Sequence, residues 1–314
     1  NTKNYIITSM SNSLDKNNTN QLLNDEIDIK TLIKIIIDGR NFIFSLTGIF
    51  SIIAVIYSLS LSNIYQSTAL LSPVGDQNSS QAVGNIGGLA NLAGLSISSQ
   101  SANNSTKAVT KMETLSFFEE SIMPNIFLPD LMAVNSWDAE SNTISYKEGV
   151  FNSTNQKWSE TPSSQKSFEA FMRKMEVVKS QSTGFVTISF KHQSPYIAKE
   201  WTELVVNEIN NSFRTKDKLE AETSMNYLNA QMAQTSYTEI KQVVAQLLKQ
   251  KMQQLALIEA NEFYVFSYLD SPAVAEEKIE PSRSSISILG AVLGALLGIL
   301  IVIIRNYFSE EKTT

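Results

Sequence analysis

Chemistry has few residues to work with in this chain. His192 is the single histidine and cysteine is absent. No His cluster can ligate a metal, no thiol can attack a substrate, and no disulfide can staple a domain. His192 follows a strand-like run and precedes Gln-Ser-Pro, a setting for a satisfied or solvated imidazole rather than a catalytic one. Acid–base work needs carboxylates that face each other. The pairs Glu119/Glu120 and Glu276/Glu277 are sequence neighbours, which on a helix point apart, so solvated charge is the expected role. Asp138 and Glu140 follow closely on Trp137. An indole beside carboxylates can stack on a sugar ring and hydrogen-bond its hydroxyls, but a turn around a partly buried Trp is the stronger expectation. The glycines after residue 83 lack the Gly-Lys-Ser/Thr step of a phosphate-binding loop. The sequence therefore predicts no catalytic residue, no cofactor and no metal.

The elements that would position these residues are easier to read. Two apolar runs without charge stand near the ends, Phe42 to Leu61 and Ile286 to Ile304. At about 1.5 Å per residue each spans roughly 30 Å, the thickness of a bilayer core. Both are expected to be transmembrane helices. Lys30, Lys34 and Arg40 precede the first run, and no further Lys or Arg occurs until Lys107. The positive side stays cytoplasmic, so both ends of the chain are expected inside, with residues 62–285 facing the outside or a periplasm. In the second run Gly290, Gly294 and Gly298 recur at every fourth position. They form one helix face that admits close backbone approach, and their partner is the first span, a neighbouring subunit or another membrane protein. Lys and Arg number 25 against 31 Asp and Glu, a net charge of −6, and there is no broad basic patch. Nucleic acid is excluded as a partner on that ground.

Residues 1–24 read as a disordered polar tail and 25–40 as an amphipathic helix at the membrane surface, together a 1–41 entry segment. Strands are expected at 63–72, 185–191 and 263–269, lying together near the membrane. Helices are expected at 108–123 and 163–180, a polar loop at 74–107, and one or two hairpins within 136–160. From Tyr196 to Ser271 there is neither Pro nor Gly. The stripes Met225–Leu228–Met232 and Val244–Leu248–Met252–Leu255 predict long helices over about 196–262, broken near 234–239. The opposite face, with Lys241, Gln242, Lys249 and Gln250, is either an assembly surface, a glycan-facing wall or solvated. Pro272 and Pro281 bracket an extended leader into the second span.

These segments, in this order, resemble the polysaccharide co-polymerases, the Wzz-type chain-length determinants of bacterial inner membranes. The resemblance is carried by "NDEIDIKTLIKIIIDGR", "IYQSTALLSP", "SWDAESNTISYKEGVFNSTNQKW" and "SYLDSPAVAEEKIEPSRSSISILGAVLGALLGILIVIIRN". It runs over roughly residues 24–308. The leader departs from the family in carrying only Pro272 and Pro281, with "PSRSS" at the junction. The resemblance implies an α+β membrane protein, with two transmembrane helices flanking a periplasmic α/β base and a long helical projection. It also implies a homo-oligomeric ring that works with a separate O-antigen-type polymerase on a lipid-linked glycan. Some relatives carry a cytoplasmic tyrosine-kinase domain, and none is expected here. The competing classes are a membrane-anchored sensor or adaptor, and a glycan-processing enzyme for which no paired-carboxylate or metal site stands out. Within the leading class the surfaces to watch are the Gly290, Gly294 and Gly298 face, the Pro272–Pro281 leader, and a glycan or oligomer surface around Trp137, Asp138, Lys241 and Lys249.

Overall fold

The computed structural model describes residues 29–74, 98–261 and 263–310. The expected tail at 1–24, most of the loop at 74–107 and the last four residues lie outside them. The chain divides into two units, residues 1–61 with 282–314 and residues 62–281.

The described residues of the first unit are largely helical. Helix α1 (Ile29–Asp38) turns at Gly39 into α2 (Arg40–Ser60), and α9 (Arg283–Glu310) joins them. Both α2 and α9 are long and apolar enough to cross a membrane. Their outer surfaces carry Phe44, Ile52, Ile56, Ile288 and Leu289, each more than half exposed. Water would penalise such a surface and lipid does not.

The second unit is built on a four-stranded antiparallel sheet of order β6-β7-β1-β8. Strand β1 (Tyr65–Pro73) pairs with β7 (Val186–His192) on one side and β8 (Phe266–Asp270) on the other. The three strands expected to lie together do so. Strand β6 (Met175–Lys179) forms the edge and corrects the expected helix at 163–180. Helix α6 (Ser164–Met172) stops eight residues early. In "MEVVK", Met175 is buried, Glu176 and Val178 are exposed, and Val177 is half-buried. That is a period of two with two β-branched residues, and it favours pairing with β7 over another helical turn.

A second correction concerns the loop at 74–107. Helix α3 (Ser98–Met112) occupies its last ten residues. Its Ser and Asn content is poor for a helix, but Ser105, Ala108 and Met112 are buried at helical spacing, and packing overrides propensity. Beyond it, α4 (Leu115–Phe117) is capped by the Thr114 side chain and runs into a wide π turn over Phe118–Ile122. Pro124 follows in a short 3-10 turn. Helix α5 (Leu128–Met132) then leads to two hairpins, β2 (Val134–Asp138) with β3 (Thr143–Tyr146), and β4 (Phe151–Asn152) with β5 (Lys157–Trp158).

Helix α7 (Pro195–Gln234) and helix α8 (Thr238–Ala260) are separated by three non-helical residues within the expected break. At 40 residues α7 is roughly 60 Å long. Its first turns bury Ala198, Trp201, Thr202, Val205, Val206 and Ile209, one face at three- and four-residue steps. They join Phe171, Ile188, Phe190, Leu71 and Phe266 in the core.

Candidate functional site

The glycines of α9 meet α2. A Cβ at Gly290 would collide with Ala54, and one at Gly294 would lie 2.8 Å from Phe50 Cβ and 2.9 Å from Thr47 Cα. At Gly298 it would be 3.1 Å from Ile43 Cα. The steps of four along α9 are answered by Ala54, Phe50, Thr47 and Ile43 along α2, so the two helices are in backbone contact over two turns. Of the three partners the sequence left open, the first span takes these glycines. The helices associate through close van der Waals packing, the interaction left when solvent supplies no hydrophobic drive. Thr47 turns its hydroxyl back to the Ile43 carbonyl at 2.8 Å, which hides the one polar side-chain group at this contact.

The leader before α9 is held at both ends. Pro272 is buried, and the next residue's carbonyl accepts the Ser67 hydroxyl at 2.7 Å. At the other end Ile64 pairs with Glu280, next to Pro281. Lys191 reaches the Glu280 carboxylate at 2.9 Å. The leader therefore runs back beside the chain that enters β1.

Trp137 and Asp138 sit at the end of the β2–β3 hairpin. The indole N–H donates to Asn142 Oδ1 at 2.9 Å, and Asp138 Oδ1 accepts the Glu140 N–H at 2.9 Å. That bond and one from Ser141 hold the Asp138 carboxyl below its usual range. Trp137 stands edge-on to Tyr65 and near Tyr196. Ring and carboxylate are thus engaged in their own turn, with Asp138 exposed and Trp137 half-buried.

Lys241 and Lys249 are exposed on α8. Lys249 borders a groove of about 510 Å³ between α7 and α8, walled by Met232, Ala245, Leu248 and Met252. Of the stripe expected on α8, Val244 and Leu248 are buried and Met252 is 56% exposed. A second apolar stripe, Ile240, Val243 and Leu247, is exposed on the same helix. The four residues expected to form a glycan or oligomer surface do not converge: Trp137 and Asp138 belong to a hairpin and Lys241 and Lys249 to a helix, while the glycines belong to the other unit.

Two polar centres were not legible from sequence. In the first, His192 is fully buried against Trp201. Its Nδ1 accepts the Ser194 N–H at 2.9 Å, which leaves the Nε2 proton to be donated to the Asp130 carbonyl at 2.9 Å. Burial and the nearby Lys174 push its pKa down to about 4. A neutral imidazole with both nitrogens used has no free group for catalysis. Asp130 also accepts the Tyr146 hydroxyl at 2.6 Å. Burial raises its carboxyl, against the pull of that bond. In the second centre, Asn210 on α7 accepts backbone N–H groups from Val265 at 2.7 Å and Phe266 at 3.0 Å, and more weakly from Tyr264. Its amide donates to the Val206 and Phe266 carbonyls. The sequence hint was an amide side chain following Val205, Val206 and Ile209 on a largely apolar face. Among the described residues no group of three or more His, Asp and Glu could hold a metal ion.

Along the chain, one apolar helix precedes an α+β unit and another follows it. The resemblance read from the sequence is found again by the Wzz family model, chain length determinant protein, which matches residues 25–115. Among solved structures, a full-length bacterial polysaccharide co-polymerase is similar at 14% identity, over 91% of this chain and 99% of that one, with a TM-score of 0.41. No curated protein matches in sequence.

Proposed function

We propose that this chain regulates the length of a bacterial polysaccharide of the O-antigen type without catalysing bond formation. It acts as a homo-oligomeric inner-membrane scaffold beside a separate polymerase that elongates a lipid-linked glycan. The observation that carries this reading is the family match across residues 25–115, which takes in the entry helix, the first apolar helix and strand β1. In this reading residues 1–41 and 305–314 are cytoplasmic, 42–61 and 286–304 span the membrane, and 62–285 form the periplasmic domain. The base is the sheet, and α7 with α8 is the helical projection. The cations before Phe42 support that orientation. Gly290, Gly294 and Gly298 fix the span pair, the Pro272–Pro281 leader connects domain to span, and Lys241, Lys249, Trp137 and Asp138 offer surface to glycan or to neighbouring subunits.

The test is the glycan ladder on a gel, from cells with and without the gene. The expected result is polymer whose modal length is replaced by a broad, unregulated distribution. An unchanged ladder, or the disappearance of polymer, overturns the reading.

A further inference from the structure

Where α1, the start of α2 and the last turns of α9 come together, they leave a cavity of about 650 Å³. The corner at Gly39 runs so close to the Val302 side chain that any Cβ there would collide with it, so the turn between α1 and α2 packs directly on α9 beside the cavity. Its lining is divided by chemistry. Lys34 from α1 and Arg305 from α9 bring two cations from different helices, and Asp38 is the acid among the lining residues. Among the described residues none of the three makes an ion pair. Asn41 and Asn306 add side-chain amides able to donate hydrogen bonds. The remaining wall is apolar, formed by Phe42, Ile301 and Val302 among others.

Two cations against one acid leave a net positive cavity whose lining combines amide donors with hydrocarbon. A free inorganic anion would satisfy the first half and leave the second wet. An anion that carries its own hydrocarbon satisfies both. We propose that this cavity binds the phosphate headgroup of an anionic phospholipid, with Lys34 and Arg305 on the phosphate and the acyl chains lying on the exposed apolar outer faces of α2 and α9. A basic pocket between helices at the end of their apolar stretches is where such a headgroup gains most. The inference rests on reading α2 and α9 as membrane spans. It does not rest on the chain-length role.

The experiment places the full-length chain in nanodiscs of phosphatidylcholine containing a minor fraction of phosphatidylglycerol. Native mass spectrometry then counts the lipids that stay bound. Phosphatidylglycerol is expected to be enriched over phosphatidylcholine. Lys34→Gln and Arg305→Gln each lower the enrichment about fivefold, the value of one juxtamembrane cation. Asp38→Asn raises it. Arg40→Gln, which removes a cation outside the lining, leaves it unchanged. The proposal falls if the wild-type chain shows no preference, or if Arg40→Gln lowers it as much as the lining variants, since the attraction is then diffuse surface charge. It also falls if excess inorganic phosphate strips the lipid, because the site then takes a free anion. All the substituted side chains are exposed, so the variants keep the fold. The glycan ladder of the same variants separates this site from the proposed function, because either result can fail while the other stands.

Discussion

Two antiparallel helix pairs stand out among the described residues, and they are held together by opposite means. The pair α2 and α9 is joined by what is missing: three glycines bring backbone against Phe50, Thr47 and Ile43, and the large side chains point outward. The pair α7 and α8 is joined by what is present. Lys218 on α7 pairs with Glu259 on α8, and in the segment just past α8 the Asn261 carbonyl accepts from Arg214 at 2.8 Å and Tyr264 donates to Asp217 at 2.6 Å. Farther along, the contact opens into a groove, and beyond Ala221 no described residue of α7 is buried. The difference follows from the solvent each pair is suited to. In lipid, apolar side chains gain nothing by facing each other and the backbones must come close. In water, large side chains bring helices together, and an uncovered stripe such as Ile240, Val243 and Leu247 stays costly until something covers it.

The largest test of this contrast is Gly294→Leu. The new side chain must displace Phe50 and the backbone at Thr47 at once, an overpacking of about 3 kcal/mol with no flexible side chain to give way. The span pair is expected to separate, read as lost disulfide cross-linking between cysteines placed at facing positions of α2 and α9. The glycan ladder shifts in length while polymer is still made. Normal cross-linking and an unaltered ladder in a well-expressed variant would show that the glycine contact is not what holds the pair.

Next is Asn210→Ala, directed at the other pair where it meets the sheet. The substitution strips partners from the N–H groups of Val265 and Phe266, in the interior, where each unpaired group costs about 1–3 kcal/mol. The expected loss is about 3 kcal/mol of stability in the unit of residues 62–281, measured by denaturant unfolding of the full chain in detergent. A loss below about 1 kcal/mol would mean that the strand re-pairs without Asn210.

How much of this could be read beforehand differs between the pairs for the same physical reason. A span is specified by composition over twenty residues and by glycine spacing, both local, so α2, α9 and the glycine face stand out in the sequence. Helices α7 and α8 and the break between them are legible from the absence of Pro and Gly and from stripes. What escapes is decided by distant partners. "MEVVK" becomes a strand because β7 is there to receive it. The helix start at Ser98 depends on burial of Ser105 and Ala108. The run at 263–265 is not yet strand, since Asn210, more than fifty residues away, takes N–H groups from Tyr264 and Val265. The His192–Asp130 contact likewise joins residues 62 positions apart. The turn beside Trp137 and Asp138 was legible, but the Asn142 acceptor that engages the indole was not.

His192 sharpens the picture at the head of α7. The residue accepts the N–H of Ser194, the residue that caps this helix, and does so only while neutral. Its pKa falls on folding from 6.5 to about 4. Above pH 6.5 both folded and unfolded imidazoles are neutral and stability is at its full value. As pH falls through the window from 6.5 to 4, the unfolded chain takes up a proton that the folded chain refuses, so stability falls with it. At pH 5 the loss is about 2 kcal/mol, at about 1.4 kcal/mol per pH unit. His192→Gln is expected to flatten this slope between pH 7 and 5, at some fixed cost in stability. A slope that survives the substitution would place the titrating group elsewhere.

The smallest expected effect tests whether the polar ties near the crossing of α7 and α8 hold that pair. Lys218 and Glu259 pair across it, which raises the proton affinity of Lys218 and lowers that of Glu259. Both side chains are about half exposed, where water screens the attraction and ordering two long side chains offsets it. Lys218→Met should therefore leave the unfolding transition unmoved within error, in low salt and in high. Val243→Ser with Leu247→Ser should also spare the unfolding transition of the single chain, because both residues face solvent, while lowering the oligomer mass seen by light scattering in detergent. If Lys218→Met instead loosens the pair as much as Asn210→Ala, the ion pair carries the contact, and the exposed stripe of α8 is not needed to explain what completes it.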